Sequence, residues 1–363
     1  MPITADAHGD RLGRKSSAEV FQKLRVEVVS GSYAPGQFLP TERQLAAQHA
    51  VAQNTVRRAL KALEAEKLIV AEPRQGYRVL ARVNDPQHGC PLAFLNWHSE
   101  PVGSWGSFDD HLMAELKIAA DARGWSLLAM AIGNLPAEEV IERVSAARAF
   151  AVALCTRDEQ TVEVIRRAGL PALMLDQWFE GADTDSVMQD GHQGGLLAAR
   201  HLVGLGCRRI AWFGSMDRNA HSLARFGGAS AGLMGEGRSL PPEMIHRTSD
   251  GGELEAARQM LAGRDRPDGV IALWQSYACA VKQAADESGL EIGRDFHMVG
   301  WCSEETLESI YLPGLKGGPM PPTITWSIRT MAETAVSRLA ERREHPALPP
   351  LQIKIPVRLR LGR

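Results

Sequence analysis

Thr41-Glu42-Arg43-Gln44-Leu45-Ala46 and, after a short break, Gln53-Asn54-Thr55-Val56-Arg57-Arg58-Ala59-Leu60-Lys61-Ala62-Leu63 decide how the first eighty residues fold. In the second stretch Val56, Ala59, Leu60 and Leu63 recur at helical spacing and share one apolar stripe. Gln53, Asn54, Arg57, Arg58 and Lys61 are left facing outward. The first stretch opens on Thr41 with Gln44 three residues later, a pattern that satisfies the free N–H groups at a helix start. Leu45 and Ala46 supply its buried face. Upstream, Val20, Leu24, Val28 and Val29 predict a helix over residues 16–30 that stops at Gly31, followed by a turn at Tyr33-Ala34-Pro35-Gly36. Downstream, residues 68–70 and 77–80 predict two short strands around Pro73-Arg74-Gln75-Gly76. Three helices and a β-hairpin make a winged helix-turn-helix.

Charge supports a polyanionic partner for this unit. Residues 11–82 hold 13 Lys/Arg against 6 Asp/Glu, whereas residues 83–363 hold 28 against 35. The overall charge of −2 hides that asymmetry. A basic segment on an acidic body fits a nucleic-acid contact, and a solvated charged face is the alternative that charge alone leaves open. The geometry of a helix in the major groove favours DNA. Gln53, Asn54 and Arg57 lie near the N-terminal end of the third helix, where base edges are met with paired hydrogen bonds. Arg58 lies on the same outward face. Arg43 on the preceding helix can hold a phosphate or a base, and Thr55 a phosphate oxygen. Gly76 at the hairpin tip allows close backbone approach, with Arg74 beside it.

The chain has 363 residues, 44% hydrophobic and 23% charged, which suits two or three soluble domains and excludes collagen-like or largely disordered readings. All eight tryptophans lie after residue 90. The polar stretch over residues 83–90 reads as a linker, and residues 1–15 as a flexible N-terminus with no apolar leader run. Cys90, Cys155, Cys207, Cys279 and Cys302 are scattered and odd in number, without a CxxC pair. That pattern fits a reducing cytoplasm and neither a disulfide framework nor a metal site, so no metal or cofactor is expected. Beyond the linker, strands are expected over residues 92–97, 126–132, 151–155, 172–176, 209–214, 269–273 and 297–300. Helices are expected between them, over 109–123, 137–149, 193–205, 253–261 and 278–288. Such alternation implies parallel sheets covered by helices, and more than 250 residues suggests two stacked lobes. Ligands of such sheets bind beyond the carboxyl ends of the strands.

Two resemblances sharpen this reading. The run from Tyr33 to Ala46 and the run from Val51 to Leu60 resemble the DNA-binding domain of the GntR family of transcription regulators, whose pattern is PGxxLPSERxLA followed by VSRxTVRRAL. The resemblance covers residues 16–82 and implies that Arg43, Asn54, Thr55, Arg57 and Gly76 contact DNA. Ala52 stands where the family has Ser or Thr, which removes a helix cap worth about 1 kcal/mol. Gln53 stands where it has Arg, which implies a different operator, since Arg prefers guanine and Gln adenine. Further on, Asp190-Gly191-His192-Gln193-Gly194-Gly195, Arg225-Phe226-Gly227-Gly228-Ala229 and Met298-Val299-Gly300-Trp301 are similar to the LacI-type regulator core. This second resemblance spans residues 91–361 and implies a periplasmic-binding-protein-like fold with two hinged α/β lobes. The first lobe would take residues 91–188 and 324–345, and the second 189–322 and 350–361. Together the two halves resemble the arabinose-repressor architecture.

By that resemblance the cleft is lined by Phe108, Asp190, Arg225, Trp274, Gln275, Trp301 and Cys302. Arg225 can offer a forked donor to hydroxyls or a carboxylate. Asp190 can accept from hydroxyls or simply cap the helix that follows, and each tryptophan can stack on a ligand or pack in the core. The family's sugar-binding Asn-Asp pair appears here as Trp274-Gln275, and its GFDD segment as Gly300-Trp301-Cys302-Ser303. A cleft more aromatic and less acidic than a sugar site is therefore expected, with the segment Pro313–Pro322 reshaping one rim. No HExxH, P-loop or strand-linked GxGxxG motif is present, and an enzyme is not expected. The expectation is a ligand-responsive regulator, a repressor or an activator. It binds operator double-stranded DNA as a homodimer and responds to a small molecule such as a sugar or related metabolite. A small-molecule-binding protein without a DNA role is the competing reading, opposed by the basic head.

Overall fold

The computed structural model describes residues 17–362 apart from 31, 35, 81–89, 101, 104–106, 134, 157, 180, 217–219 and 249–250. The expected flexible N-terminus, nearly all of the linker, Gly31 and Pro35 lie outside the described residues. The chain divides into two compact units, Met1–Arg82 and Val83–Arg363.

The first unit is a three-helix head with a hairpin. It consists of α1 (Ser17–Ser30), α2 (Glu42–His49), α3 (Gln53–Ala65), β1 (Ile69–Glu72) and β2 (Gly76–Val79). Val20, Leu24, Val28, Leu45, Val56, Leu60 and Leu63 are buried together, so the helical stripes meet in one small core. Buried Arg25 donates from Nε to Glu66 at 2.7 Å, tying α1 to the end of α3. The capping box is formed: Thr41 Oγ1 accepts the Gln44 N–H at 3.3 Å, and Gln44 Oε1 accepts the Thr41 N–H at 2.9 Å. β1 and β2 are antiparallel, with Ile69 opposite Val79 and Glu72 opposite Gly76.

The second unit has two sheets. In chain order its elements are β3 (Cys90–Asn96), α4 (Ser107–Asp121), β4 (Trp125–Ala131), α5 (Ala137–Ala146), β5 (Ala151–Cys155), α6 (Glu159–Arg167), β6 (Ala172–Leu175) and β7 (Asp185–Gln189). Then come α7 (Gly191–Gly204), β8 (Ile210–Phe213), α8 (Ala220–Met234), β9 (Ile245–His246), α9 (Glu253–Leu261), β10 (Gly269–Ala272), α10 (Gln275–Glu287) and β11 (His297–Ser303). A π-helical turn, Leu307–Tyr311, runs into α11 (Leu312–Gly314), followed by β12 (Thr323–Trp326), α12 (Ile328–Glu344), β13 (Gln352–Ile355) and β14 (Arg358–Arg360).

The first lobe is a parallel sheet ordered β13-β7-β6-β5-β3-β4. The second is ordered β14-β12-β11-β10-β8-β9, parallel except where β14 runs against β12. All seven strands read from hydrophobic runs form, within two or three residues of the expected ends. The lobe boundaries differ from expectation. Residues 324–326 belong to the second sheet through β12, and residues 352–355 to the first through β13. The cause is pairing across long sequence distances, which local hydrophobicity does not encode.

β7 and α12 show how the second crossing is fixed. Asp185 is fully buried on β7 and accepts from Arg338 Nε at 3.0 Å, Arg342 Nε at 2.9 Å and the Leu351 N–H at 2.8 Å. One carboxylate thus pins α12 and the entry to β13 against the first sheet. Removing one side of a buried ion cluster strands its partners, at a cost of about 3–5 kcal/mol. Asp185→Ala should destabilise the second unit by about that amount in chemical denaturation, and a change under about 1 kcal/mol would show that the cluster is not what anchors β13.

Candidate functional site

On the head, α2 and α3 present the polar residues that the sequence singles out. Arg43, Gln53, Asn54, Arg57 and Arg58 are exposed, and Thr55 is half-buried. α3 is amphipathic because its buried positions, Val56, Ala59, Leu60 and Leu63, face α1 and α2, which leaves its other side to solvent. Ala52 precedes α3 in extended conformation and makes no side-chain cap, so the substitution read from the sequence does leave that helix start uncapped. Arg57 is held by Glu42, with Nη2 at 2.8 Å and Nε at 3.2 Å from the carboxylate. That hydrogen-bonded partner raises the Arg57 pKa above its ordinary value. The pair is solvent-exposed and therefore weakly held, so the guanidinium can exchange a carboxylate for a phosphate or a base edge. Arg74 and Gly76 form the exposed hairpin tip, with φ of 65° and 111°. The glycine takes that backbone without strain and leaves the tip free of a side chain.

In the second unit a cavity of about 330 Å³ lies at the carboxyl ends of strands from both sheets. Phe108, Arg225, Trp274, Gln275, Trp301 and Cys302 line it, as the sequence leads one to expect. Asp190 does not. Its carboxylate accepts the Gln193 N–H at 3.0 Å and caps α7, with Lys354 Nζ 3.8 Å away. Its chain neighbour Gln189, at the end of β7, turns inward instead. Asp176, just past β6, lines the cavity as well. Neither was singled out from the sequence. Their signal is positional, since both stand at strand ends where a parallel sheet offers its ligands, and β7 is too polar to stand out as a strand. No residue of the Pro313–Pro322 segment lines the cavity, so the expected reshaping of a rim is absent from its described lining.

Arg225 is the centre of the site. α8 carries it, and α8 is pressed against α7 at glycines: a Cβ on Gly195 would lie 2.0 Å from the Arg225 carbonyl oxygen, and one on Gly228 1.9 Å from that of His192. The guanidinium is fully buried and lies against two indoles, 3.9 Å from the Trp274 ring centre and 3.8 Å from that of Trp301. Nη1 donates to the Leu273 carbonyl, and Nη2 to Gln189 Oε1 at 2.7 Å. The same Gln189 oxygen accepts from Trp301 Nε1 at 2.7 Å, while Gln189 Nε2 donates to Asp176 at 3.1 Å. Burial drives the Arg225 pKa well below its ordinary value, opposed by the charge of Asp176.

Two further features surround this core. His221 of α8 donates from Nε2 to the Asp176 carbonyl and lies 3.4 Å from its carboxylate, an inter-lobe contact closing one end of the site. On the other side Ser303 and Thr306 bond each other at 2.6 Å, and Cys302 Sγ lies 3.3 Å from the Thr306 hydroxyl. Burial pushes the Cys302 thiol up to about 12, which keeps it protonated and unreactive at neutral pH. A larger hollow of about 790 Å³, lined by Arg208, Arg209, Arg238, Glu243 and Asp265, opens at the amino end of β8. It touches one lobe only, and two of its three arginines, Arg209 and Arg238, are engaged with Asp265 and the Cys207 carbonyl. The cavity spanning both lobes is the better candidate.

The histidines set a pH dependence. Burial lowers the pKa of His221, and also of His201 and His246, below the ordinary 6.5. Asp176 pulls His221 back toward protonation and Arg225 opposes it, but desolvation dominates. The unfolded chain therefore takes up protons first, so stability is full above pH 6.5 and is eroded as pH falls below it. Thermal denaturation across pH should show the second unit losing stability below pH 6.5, with a flatter slope in His221→Gln. An unchanged slope would assign the effect to other groups.

Comparison with known proteins agrees with this geometry. Residues 16–79 match the family model for bacterial regulatory proteins of the gntR family, and residues 199–363 the model for a periplasmic binding protein-like domain. The ribose operon repressor of Escherichia coli (strain K12) is 30% identical over 202 residues, covering 54% of this chain and 58% of the relative. The chain spans little more than half the length of the curated relatives it matches. Among solved structures, a transcriptional regulator CelR–cellobiose complex matches with a TM-score of 0.64 and 16% identity, over 89% of this chain and 99% of that one. A LacI family transcriptional regulator from Enterococcus faecium with bound ribose matches at 0.60 and 20%, over 75% and 97%. Residues 16–79 thus match the helix-turn-helix head of bacterial gntR-type regulatory proteins, joined in this chain to a body with a periplasmic-binding-protein-like fold.

Proposed function

We propose that this protein is a ligand-responsive DNA-binding transcription regulator, a repressor whose hold on operator DNA is set by a small molecule in the inter-lobe cavity. The observation that carries the reading is the exposed row of Gln53, Asn54, Arg57 and Arg58 on α3 of a winged head, joined to a two-lobed body with a cavity between its sheets. Arg43, Thr55, Arg74 and Gly76 supply the surrounding phosphate and backbone contacts in this reading. Two heads in a homodimer read a pseudo-palindromic operator in the cytoplasm. The named relatives are repressors, and neighbours of the body hold ribose or cellobiose. No step in this reading is catalytic.

The mechanism follows from linkage. Ligand contacts to Asp176 and Phe108 of the first lobe and to Arg225 and Trp274 of the second favour one lobe arrangement. If the two arrangements space the paired heads differently, ligand and DNA change each other's affinity by the same factor.

A binding titration across a salt series tests the DNA half. Affinity should fall steeply with salt as counterions are released. Arg57→Ala should cost about 1–3 kcal/mol, roughly a 5- to 150-fold loss. Salt-insensitive binding, or an Arg57→Ala protein that binds as well as the parent, would sink the reading.

A further inference from the structure

We infer that the inter-lobe cavity takes a compact aromatic or apolar carboxylate rather than a polyol sugar, because a buried guanidinium with an unpartnered N–H stands in its wall among aromatic rings. The inference rests on the proposed regulator reading and narrows the ligand of that same site.

A sugar is recognised by several side chains that accept and donate to its ring of hydroxyls. In this cavity most of those side chains are turned onto one another, with Gln275 and Ser276 the exceptions at the start of α10. Gln189 spends its oxygen on Arg225 and Trp301 and its amide on Asp176. Asp176 is approached by Gln189 and His221. Ser303 and Thr306 are paired, and Thr306 also donates its N–H to Ser303 Oγ. At the ends of β10 and β11 the lining holds Trp274-Gln275 and Cys302-Ser303, with no carboxylate among them. What remains open is mostly carbon, supplied by Phe108, Trp274, Trp301 and Trp326, with Phe108 and Trp326 tilted at 55° and 5.8 Å between ring centres. At about 330 Å³ the cavity is at the small end of ligand pockets, which run from about 300 to 1,000 Å³.

The charge argument points the same way. Among the described residues no carboxylate reaches ion-pair distance of Arg225, whose partners are a carbonyl and an amide. Its Nε is buried without a hydrogen-bond partner. The Trp274 and Trp301 ring centres lie 3.9 and 3.8 Å from the guanidinium carbon, so a ligand's charge would meet the cation at its N–H groups. Gln189 stands between Arg225 and Asp176, which keeps that carboxylate from answering the cation directly. A buried cation without a contacting anion is costly, and a carboxylate on its N–H edge is the partner whose shape and charge fit it.

The test compares isosteres on the full-length protein. Thermal shift and tryptophan fluorescence titrations would use benzoate and phenylacetate, their neutral counterparts benzamide and phenylacetamide, and ribose and cellobiose. A ligand that binds only the folded state raises the melting temperature with concentration. The expected result is a shift with the acids, at least tenfold weaker binding of the amides, and none with the two sugars. Arg225→Gln should erase the preference for acid over amide, and Arg225→Lys should keep it at reduced affinity. Equal binding of acid and amide, a response to ribose or cellobiose, or no response to either acid overturns the inference. A sugar response would leave the regulator reading standing, whereas loss of salt-dependent DNA binding would sink that reading and leave the acid preference measurable.

Discussion

The backbones of α7 and α8 touch, and the site is built on that contact. Gly195 and Gly228 leave no room for a side chain, since a Cβ at either would lie within 2.0 Å of a carbonyl oxygen on the facing helix. Gly194 does the same against the Trp301 ring, where a Cβ would lie 2.2 Å from the indole edge. This close approach carries Arg225 to the end of β7, within reach of Gln189, and lays its guanidinium against Trp274 and Trp301. A bulkier pair of helices would hold the arginine farther out and open the stack.

The second constraint is the path of the chain. It passes from one lobe to the other after Gln189, again between Trp326 and Ile328, and once more between Ile355 and Arg358. Three neighbouring crossings form a hinge, and the residues beside them serve both lobes. Glu305 from the second lobe accepts the Ile328 and Arg329 N–H groups at the start of α12 at 2.9 and 3.0 Å. The Asp190 N–H bonds Ile355 across two of the crossings at 2.9 Å. Gln189 sits at the first crossing and also accepts from Arg225, so one side chain separates the cavity's arginine from the chain's passage between lobes.

The head was legible in the sequence because its signals are local. Thr41 and Gln44 are three residues apart and cap the same turn, and the apolar stripe of α3 needs only a 3.6-residue period to be seen. Strands buried on both faces, such as β5, were equally plain, since five apolar residues in a row leave little choice. β7 was not legible. Its Asp185 and Gln189 are polar yet buried, and what makes their burial tolerable is Arg338 and Arg342, some 150 residues away, and Arg225. β13 and β14 are short, with exposed charged residues, and only their partners across the fold make them strands.

The cavity shows the same division between residue type and placement. Arg225, Trp274 and Trp301 were named from their motif positions, and the structure gathers them. Their mutual arrangement carries information that the motif does not. A motif arginine suggests a hand held out to a ligand, whereas here the guanidinium is buried against two indoles and already donates to Leu273 and Gln189. Trp274 and Cys302 offer a ligand no carboxylate or amide for its hydroxyls, and they also deny Arg225 the water-like surroundings in which a lone cation is cheap. In the proposed reading, the same apolar lining that offers a sugar few partners raises the worth of a single negative charge placed against Arg225. Disfavouring one class of ligand and favouring another are in this way two consequences of one lining.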